Sequence, residues 1–199
     1  TVTAKKAGTA TITATCGSVK AECAVMVTAP VEAASVTLSS STLALFTGDT
    51  AVLTAVVEPE DTTDKTVIWT SSKPEVASVA NGKITALTAG ETVITAACGS
   101  AKAECTVTVT DAAQPELKDG VYQIANASNL VWFAKQVNGG NTAISGVLTG
   151  DIDLTGINWT PIGNYTKPFA GSFDGAGHTI KNLTIDYATA KASERVYLG

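Results

Sequence analysis

The residues of this chain best suited to chemistry are its four cysteines, Cys16, Cys23, Cys98 and Cys105. They form two pairs, each flanking a Gly-Ser-x-Lys-Ala-Glu run. Such pairs can close a disulfide, contribute to a metal site or stay reduced inside a core. Structural zinc needs four ligands, and each pair brings two, with no His or further Cys beside it. Cys98 shares its parity with Ile94 and Ala96, and Cys105 with Val107 and Val109, so both should point to the packed side of their strands. The even number of residues between them lets them face each other, within disulfide range in a non-hydrogen-bonded pair. Closing so short a loop would stabilise by about 2–2.5 kcal/mol. Bridged pairs and free buried thiols both remain open.

The other reactive side chains point to no catalytic centre. His178 is the only histidine, in a Gly-Ala-Gly-His-Thr-Ile run, and no nucleophile motif or second His accompanies it. A triad or metal site cannot be built from it, which leaves a turn-to-strand residue. Asp151-x-Asp153-x-Thr155-Gly156 has the spacing of the first half of a calcium loop, but the twelfth position holds Ile162 in place of the bidentate acid. Alternation with Ile152 and Leu154 explains it as a strand with solvated carboxylates. Glu58, Glu60, Asp61 and Asp64 make an acidic loop, expected to be solvated. Among the aromatics, Trp69 is the expected core anchor. Trp159 and Tyr165, in a turn-rich stretch, are the candidates for stacking on a ligand such as a sugar. No catalytic, cofactor-binding or metal-binding residue is assigned.

Composition narrows the partners. A net charge of −5, a pI near 4.8 and no Lys/Arg cluster argue against nucleic acid and anionic membrane surfaces. No apolar run approaches the roughly 18–20 residues that would span a bilayer. The chain opens at Thr1 without Met or a signal-peptide pattern and stops at Gly199 in mid-pattern, so it is expected to be an excerpt of a longer polypeptide.

The positioning elements emerge from self-comparison. Residues 1–28 align without a gap on residues 83–110, an offset of 82, with 17 of 28 positions identical. An interval near 80 suits a small β-sandwich domain and is too long for a solenoid rung. Period-2 alternation marks Thr50–Val57, Thr66–Ser71, Glu91–Cys98 and Glu104–Thr110 as strands with one packed face. Gly48-Asp49, Pro59 to Asp64, Lys73-Pro74, Asn81-Gly82, Ala89-Gly90 and Gly99-Ser100 punctuate them. About seven short strands with such spacing predict an Ig-like sandwich. The pattern VTLSSSTLALFTGDTAVLTAVVEP followed by VIWTSSKPEVASVANGKITALTAGETVITA resembles the bacterial Ig-like domain of group 2 over residues 33–110, and in part over 1–28. The Trp-Thr-Ser-Ser strand carries Trp69. This resemblance implies fold strongly and function weakly, since such modules serve as spacers, adhesin segments and accessory domains.

Beyond Thr110 the composition changes. Residues 112–119 are expected to be a linker. Then come a strand at Val121–Ala125, a helix from Ser128 as its cap to about Val137, with Gly139 at its stop, and strand-turn units at Gly146–Leu154, Gly171–Asp174 and Thr179–Asp186. The run DIDLTGINWTPIGN, then PFAGSFDGAGHTIKNLTI, resembles the start of β-helix-like domains with GLUG-type repeats in large bacterial surface proteins. Tyr197-Leu198-Gly199 would open a Gly-Leu-Phe-Gly element. Beside these bacterial resemblances, the Asn-x-Ser/Thr sequences at Asn126, Asn158, Asn164 and Asn182 are taken as coincidence.

The expected architecture is therefore mainly β. It comprises the end of one Ig-like domain (1–29), a complete one (30–111), the linker, and a truncated β-helix-like domain with one short helix (120–199). The expected role is a non-catalytic stalk and adhesion scaffold of an exported bacterial cell-surface protein, made of monomeric modules that meet a host or cell-wall glycan or protein. The alternative is an accessory region of a large secreted peptidase or glycoside hydrolase with its catalytic domain elsewhere. A phage virion protein is a third, weaker reading.

Overall fold

The computed structural model describes residues 1–185. It is mainly β with one helix. Residues 8–27 form a hairpin, β1 (Gly8–Cys16) and β2 (Val19–Val27), paired from Gly8↔Val27 to Cys16↔Val19. Residues 28–34 carry no regular structure, and the sandwich strands begin at Ser35.

The sandwich is built from β3 (Ser35–Leu38), β4 (Thr42–Phe46), β5 (Thr50–Val52), β6 (Ala55–Glu58), β7 (Ile68–Ser71), β8 (Ala77–Ala80), β9 (Lys83–Ala86), β10 (Gly90–Cys98) and β11 (Ala101–Thr110). One layer is the four-stranded sheet β4-β11-β10-β7. Facing it are two small sheets, β3-β6 and β5-β9-β8. The expected strand Thr50–Val57 is thus two strands in different sheets. It breaks at Leu53-Thr54, where Leu53 turns inward to 2% exposure and its N–H bonds to Gly82 O at 2.8 Å. The Asn81-Gly82 turn has φ of 51° and 79°, the doubly left-handed geometry that this dipeptide favours. A Cβ on Gly82 would run into the Leu53 carbonyl.

Inward residues of both layers merge into one core around Leu45, Leu53, Ala77, Ile84, Ile94, Cys105, Val107 and Val109. A second cluster at one end joins Val36, Ala96 and Cys98. Trp69 is half-buried and packs against both clusters. The serines that follow it have a job of their own: Ser71 and Ser72 hydroxyls lie 3.0 and 3.1 Å from Thr92 Oγ1, which also accepts from Lys73 N at 2.9 Å. Thr92 is 2% exposed, so this network satisfies a buried hydroxyl.

The third segment holds β12 (Glu116–Lys118), β13 (Val121–Ile124), α1 (Ala127–Gly139), β14 (Ser145–Leu148), β15 (Ile152–Asp153), β16 (Phe173–Asp174) and β17 (Ile180–Lys181). The stretch expected as a linker thus contains a strand. Asp119-Gly120, with φ of 51° and 80°, folds β12 back on β13. Strands β13, β14 and β16 pair in parallel, as do β15 and β17, and the chain returns to the same height after about 27 residues: Gly146 meets Phe173 and Ile152 meets Ile180. Apolar residues of α1, namely Leu130, Phe133, Ala134 and Val137, pack on Ile124, Leu148, Ile152 and Leu154. The helix is capped by Asn126, whose Oδ1 accepts from Asn129 N at 3.0 Å. Ser128, the expected cap, instead accepts from Ala113 N at 2.8 Å. Its C-cap is Gly140, one residue beyond the expected stop. The expected Tyr197-Leu198-Gly199 element, and the end of the expected strand Thr179–Asp186, lie outside the described residues.

Candidate functional site

The chemistry-bearing residues gather chiefly where the sandwich meets the third segment. The turn after β4 brings Phe46, Thr47 and Asp49 against one side of α1. Asp49 is fixed first, its Oδ2 accepting from Phe46 N at 3.0 Å. Lys135 on α1 then reaches across: its Nζ lies 2.9 Å from Asp49 Oδ1, donates to Thr47 O at 2.6 Å, and sits 5.7 Å from the centre of the Phe46 ring. The Lys135 and Asp49 side chains are 35% and 27% exposed, so the pair is partly shielded and stronger than a fully solvated one. Phe46 and Ala112 also pack on the apolar cluster of the third segment. From the linker side, Asn129 Nδ2 donates to Ala113 O at 3.0 Å while its Oδ1 accepts from Ala125 N. The two parts are joined by an ion pair, backbone bonds and buried carbon together.

A cleft of about 220 Å³ remains along this joint, lined by Asp49, Lys135, Asn138, Ile157 and Trp159 among others. Asn138 in it donates to Pro161 O at 2.9 Å and accepts from Gly163 N at 2.8 Å. With Lys135 and Asp49 engaged as well, the arrangement is a seam that fixes two bodies. Trp159 is 9% exposed and belongs to the core of the third segment, with Ile157 packed against the same cluster and its backbone N–H donating to Thr184 O at 2.8 Å. Tyr165 is 74% exposed. The two expected stacking residues therefore do not form one platform.

A second polar group ties successive turns of the parallel ladder. Asp153 Oδ1 accepts from Thr155 N at 2.9 Å, Thr155 Oγ1 at 2.7 Å and Asn182 Nδ2 at 2.8 Å. These bonds, Asn182 foremost, hold the carboxyl down at about 2. Asp151 Oδ1 accepts from Thr179 N at 3.0 Å, and His178 Nδ1 and Lys181 Nζ stand at 3.5 and 3.7 Å from its oxygens. The Thr179 N–H bond is the main reason its carboxyl is lowered. The Asp-x-Asp-x-Thr run is not merely solvated, since it clamps one turn to the next. Among the described residues, no group of three His, Cys, Asp or Glu could hold a metal ion.

The paired cysteines do not face each other as the parity allowed. All four are free. Gly99, at φ 58°, and Ser100 make a two-residue turn, so Cys98 faces Ala101 while Cys105 faces Ile94. Four residues of strand separate the two heights, about 13 Å, whereas a disulfide needs Cα atoms within about 7 Å. The same register holds in the first hairpin, with Cys16 opposite Val19 and Cys23 opposite Ile12. Cys98 and Cys105 are buried, and burial pushes the Cys105 thiol up. Cys98 Sγ donates to Asp64 O at 3.2 Å. Cys16 and Cys23 are exposed.

With this geometry in place, comparison with known proteins is informative. Residues 32–109 match the family model of the bacterial Ig-like domain (group 2). An uncharacterized protein of Clostridium acetobutylicum is 38% identical over 167 residues, covering 81% of this chain and 16% of the relative. A type blood N-acetyl-alpha-D-galactosamine deacetylase from Flavonifractor plautii is 32% identical over 144 residues, covering 70% of this chain and 18% of that protein. Among solved structures, domains 4 and 5 of the S-layer protein SbsC align at a TM-score of 0.37 with 24% identity, over 52% of this chain and 58% of that one. The chain spans less than a fifth of the length of the curated relatives it matches.

Proposed function

We propose that this chain is a spacer region of an exported bacterial cell-surface protein, in which Ig-like modules carry a β-helix-like, GLUG-type domain outward. The sandwich of residues 30–111 is its complete module. Residues 1–29 are the closing hairpin of a preceding module, and residues 120–199 begin the domain being presented, which meets a glycan or protein of the host or cell wall. One observation carries the reading. The hairpin β1–β2 repeats β10–β11 in sequence and in every cross-strand partner position, yet Ile12 is 39% exposed where its counterpart Ile94 is fully buried. A module that recurs whole, at domain-length intervals, is how a chain gains reach without new folding information. The Lys135–Asp49 joint adds stiffness at the far end, since it fixes the angle at which the third segment leaves the sandwich.

Small-angle scattering tests this. Inserting one further copy of residues 30–111 ahead of residue 30 should lengthen the particle by a fixed increment per module. A particle that grows in volume without growing in length refutes the spacer role. The relatives favour a second reading, an accessory region of a carbohydrate-active enzyme, because the Flavonifractor protein is a deacetylase and another relative is an alpha-L-arabinofuranosidase of Bifidobacterium longum. A glycan array probed with the chain separates the two, with Tyr165→Ala as the first variant. Selective binding that this variant weakens supports the accessory reading, and a blank array leaves the spacer alone.

A further inference from the structure

We propose that the third residue beyond each closing hairpin is a backbone handle, gripped by the domain that follows so that successive domains meet at a fixed angle. The inference rests on residues 1–29 being the end of a preceding module. It goes further than the spacer reading, which needs length but no fixed joint.

Two connectors leave closing hairpins in this chain, one after Thr28 and one after Thr110. The offset of 82 that relates the hairpins places Val31 on Ala113. Both backbone groups of each residue are taken up by the domain that comes next. Val31 N donates to Thr63 Oγ1 at 2.8 Å, and Val31 O accepts from Thr63 N at 2.9 Å. Ala113 N donates to Ser128 Oγ at 2.8 Å, and Ala113 O accepts from Asn129 Nδ2 at 3.0 Å. The bonding repeats: a hydroxyl takes the N–H, and an N–H donor takes the carbonyl.

The surroundings do not repeat. One connector reads Thr-Ala-Pro-Val and the other Thr-Asp-Ala-Ala. Thr63 sits in the loop between β6 and β7, whereas Ser128 and Asn129 sit in the first turn of α1. The same position, bonded the same way by two unlike elements, singles out the backbone as what is recognised. Main-chain hydrogen bonds of this kind are indifferent to the side chain that accompanies them.

Each grip is braced from behind. Thr62 is 6% exposed, and its Oγ1 donates to Pro59 O at 2.6 Å. On the other side of Thr63, Asp64 O accepts from the buried Cys98 thiol at 3.2 Å, which ties the loop to the end of β10. Asn129 is buried, and its Oδ1 accepts from Ala125 N at 3.3 Å. A handle held by parts so fixed transmits the orientation of the whole domain behind them. Left to water, a connector such as residues 28–34 would be a flexible tether.

Amide hydrogen exchange on the full 199-residue chain tests the grip. Val31 and Ala113 should exchange slowly, although both connectors run over the surface. Thr63→Val should speed exchange at Val31 by about fivefold, the worth of one hydrogen bond, and leave Ile94 and Ala113 unchanged. Thr63→Ser, which keeps the hydroxyl, should restore slow exchange. The angle is read from NMR relaxation of the chain carrying a further copy of residues 30–111. Its two sandwiches should share one tumbling time, and Thr63→Val in the second copy should split it. Native Val31 exchanging as fast as an unstructured amide overturns the proposal. So does independent tumbling of the two native copies, or a shared tumbling time that Thr63→Val leaves intact. The first two of these outcomes need no variant to fold. Independent tumbling in a particle that still lengthens sinks the handle and spares the spacer reading; a particle that does not lengthen sinks the spacer reading, while exchange at Val31 still decides the grip.

Discussion

Ile94 and Ile12 occupy one position in two copies of a hairpin, Ile94 facing Cys105 and Ile12 facing Cys23. Their side chains are identical and their strand neighbours nearly so, yet Ile94 is 0% exposed and Ile12 39%. Removing the outer carbons of Ile94 loses their transfer free energy and leaves a void among Ile84, Cys105 and Val107. Ile→Ala at such a site costs about 3–4 kcal/mol. In a unit of roughly 80 residues, each kcal/mol lowers the midpoint by about 4–8 °C, so Ile94→Ala should lower the sandwich transition by about 12–32 °C. Ile12→Ala, at a partly exposed site with no core behind it, should stay within about 0.5 kcal/mol, a shift below about 4 °C. Scanning calorimetry of the full chain carrying each change measures both. If Ile12→Ala lowers the same transition as far as Ile94→Ala, burial does not distinguish the two copies and the reasoning fails.

Thiol chemistry checks the register independently: with Ellman's reagent, native protein should titrate at Cys16 and Cys23, and unfolded, unreduced protein at all four. Fewer than four thiols after unfolding would mean a bridge, against the 98↔101 pairing. Acid should loosen the clamp between ladder turns. Asp153 is held at about 2, below its unfolded value near 3.9, so its contribution is complete above the unfolded value and is lost as pH falls through about 2. Hydrogen exchange at Thr155 and Thr179 should therefore gain opening across roughly pH 4 to 2, and Asp153→Asn should remove most of that dependence at Thr155; a native profile that is flat there contradicts the clamp. Lys135→Met should cost roughly 1 kcal/mol at low salt, because one partly shielded ion pair and one backbone bond are lost. It should also separate the melting of the sandwich from that of the third segment in calorimetry, and raising salt on the native chain should move it part of the way in the same direction.

The sandwich was legible because its physics is local. Alternation in Glu91–Cys98 and Glu104–Thr110 assigns the inward faces, and Asn81-Gly82 and Gly99-Ser100 mark turns that the structure contains. That the paired cysteines do not face each other was also legible in the sequence. Parity says which face a residue takes, but the turn says what it meets. A Gly in the first of two turn positions makes a tight hairpin, and that fixes Cys98 against Ala101. The break at Leu53-Thr54 was less accessible, because β5 and β6 continue one alternating pattern. The strand changes sheets there to meet β9 on one side of the break and β3 on the other, a demand set by partners far along the chain.

The third segment resisted for a deeper reason. Its ladder is parallel, so each strand meets a partner about 27 residues away, and the described residues include barely two turns of that period. A period needs several recurrences before sequence alone reveals it, whereas the 82-residue repeat was visible from two copies because 17 of 28 positions are identical. Asp151 and Asp153 looked like solvated strand residues because their partners, Thr179 and Asn182, become neighbours only once the turns stack. Lys135 was more hidden still. Its amphipathic helix explains it as a solvated side chain, and only the docking of a turn 88 residues earlier gives its charge an oxygen to hold. Polar contacts between distant segments carry no periodic signature, and in this chain it is those contacts that bind one turn to the next and the third segment to the sandwich. Composition and alternation specify the parts of such a protein; the joints between parts are specified by single side chains, which is why Lys135 and Asp153 are the positions where one substitution should change the assembly while leaving each part folded.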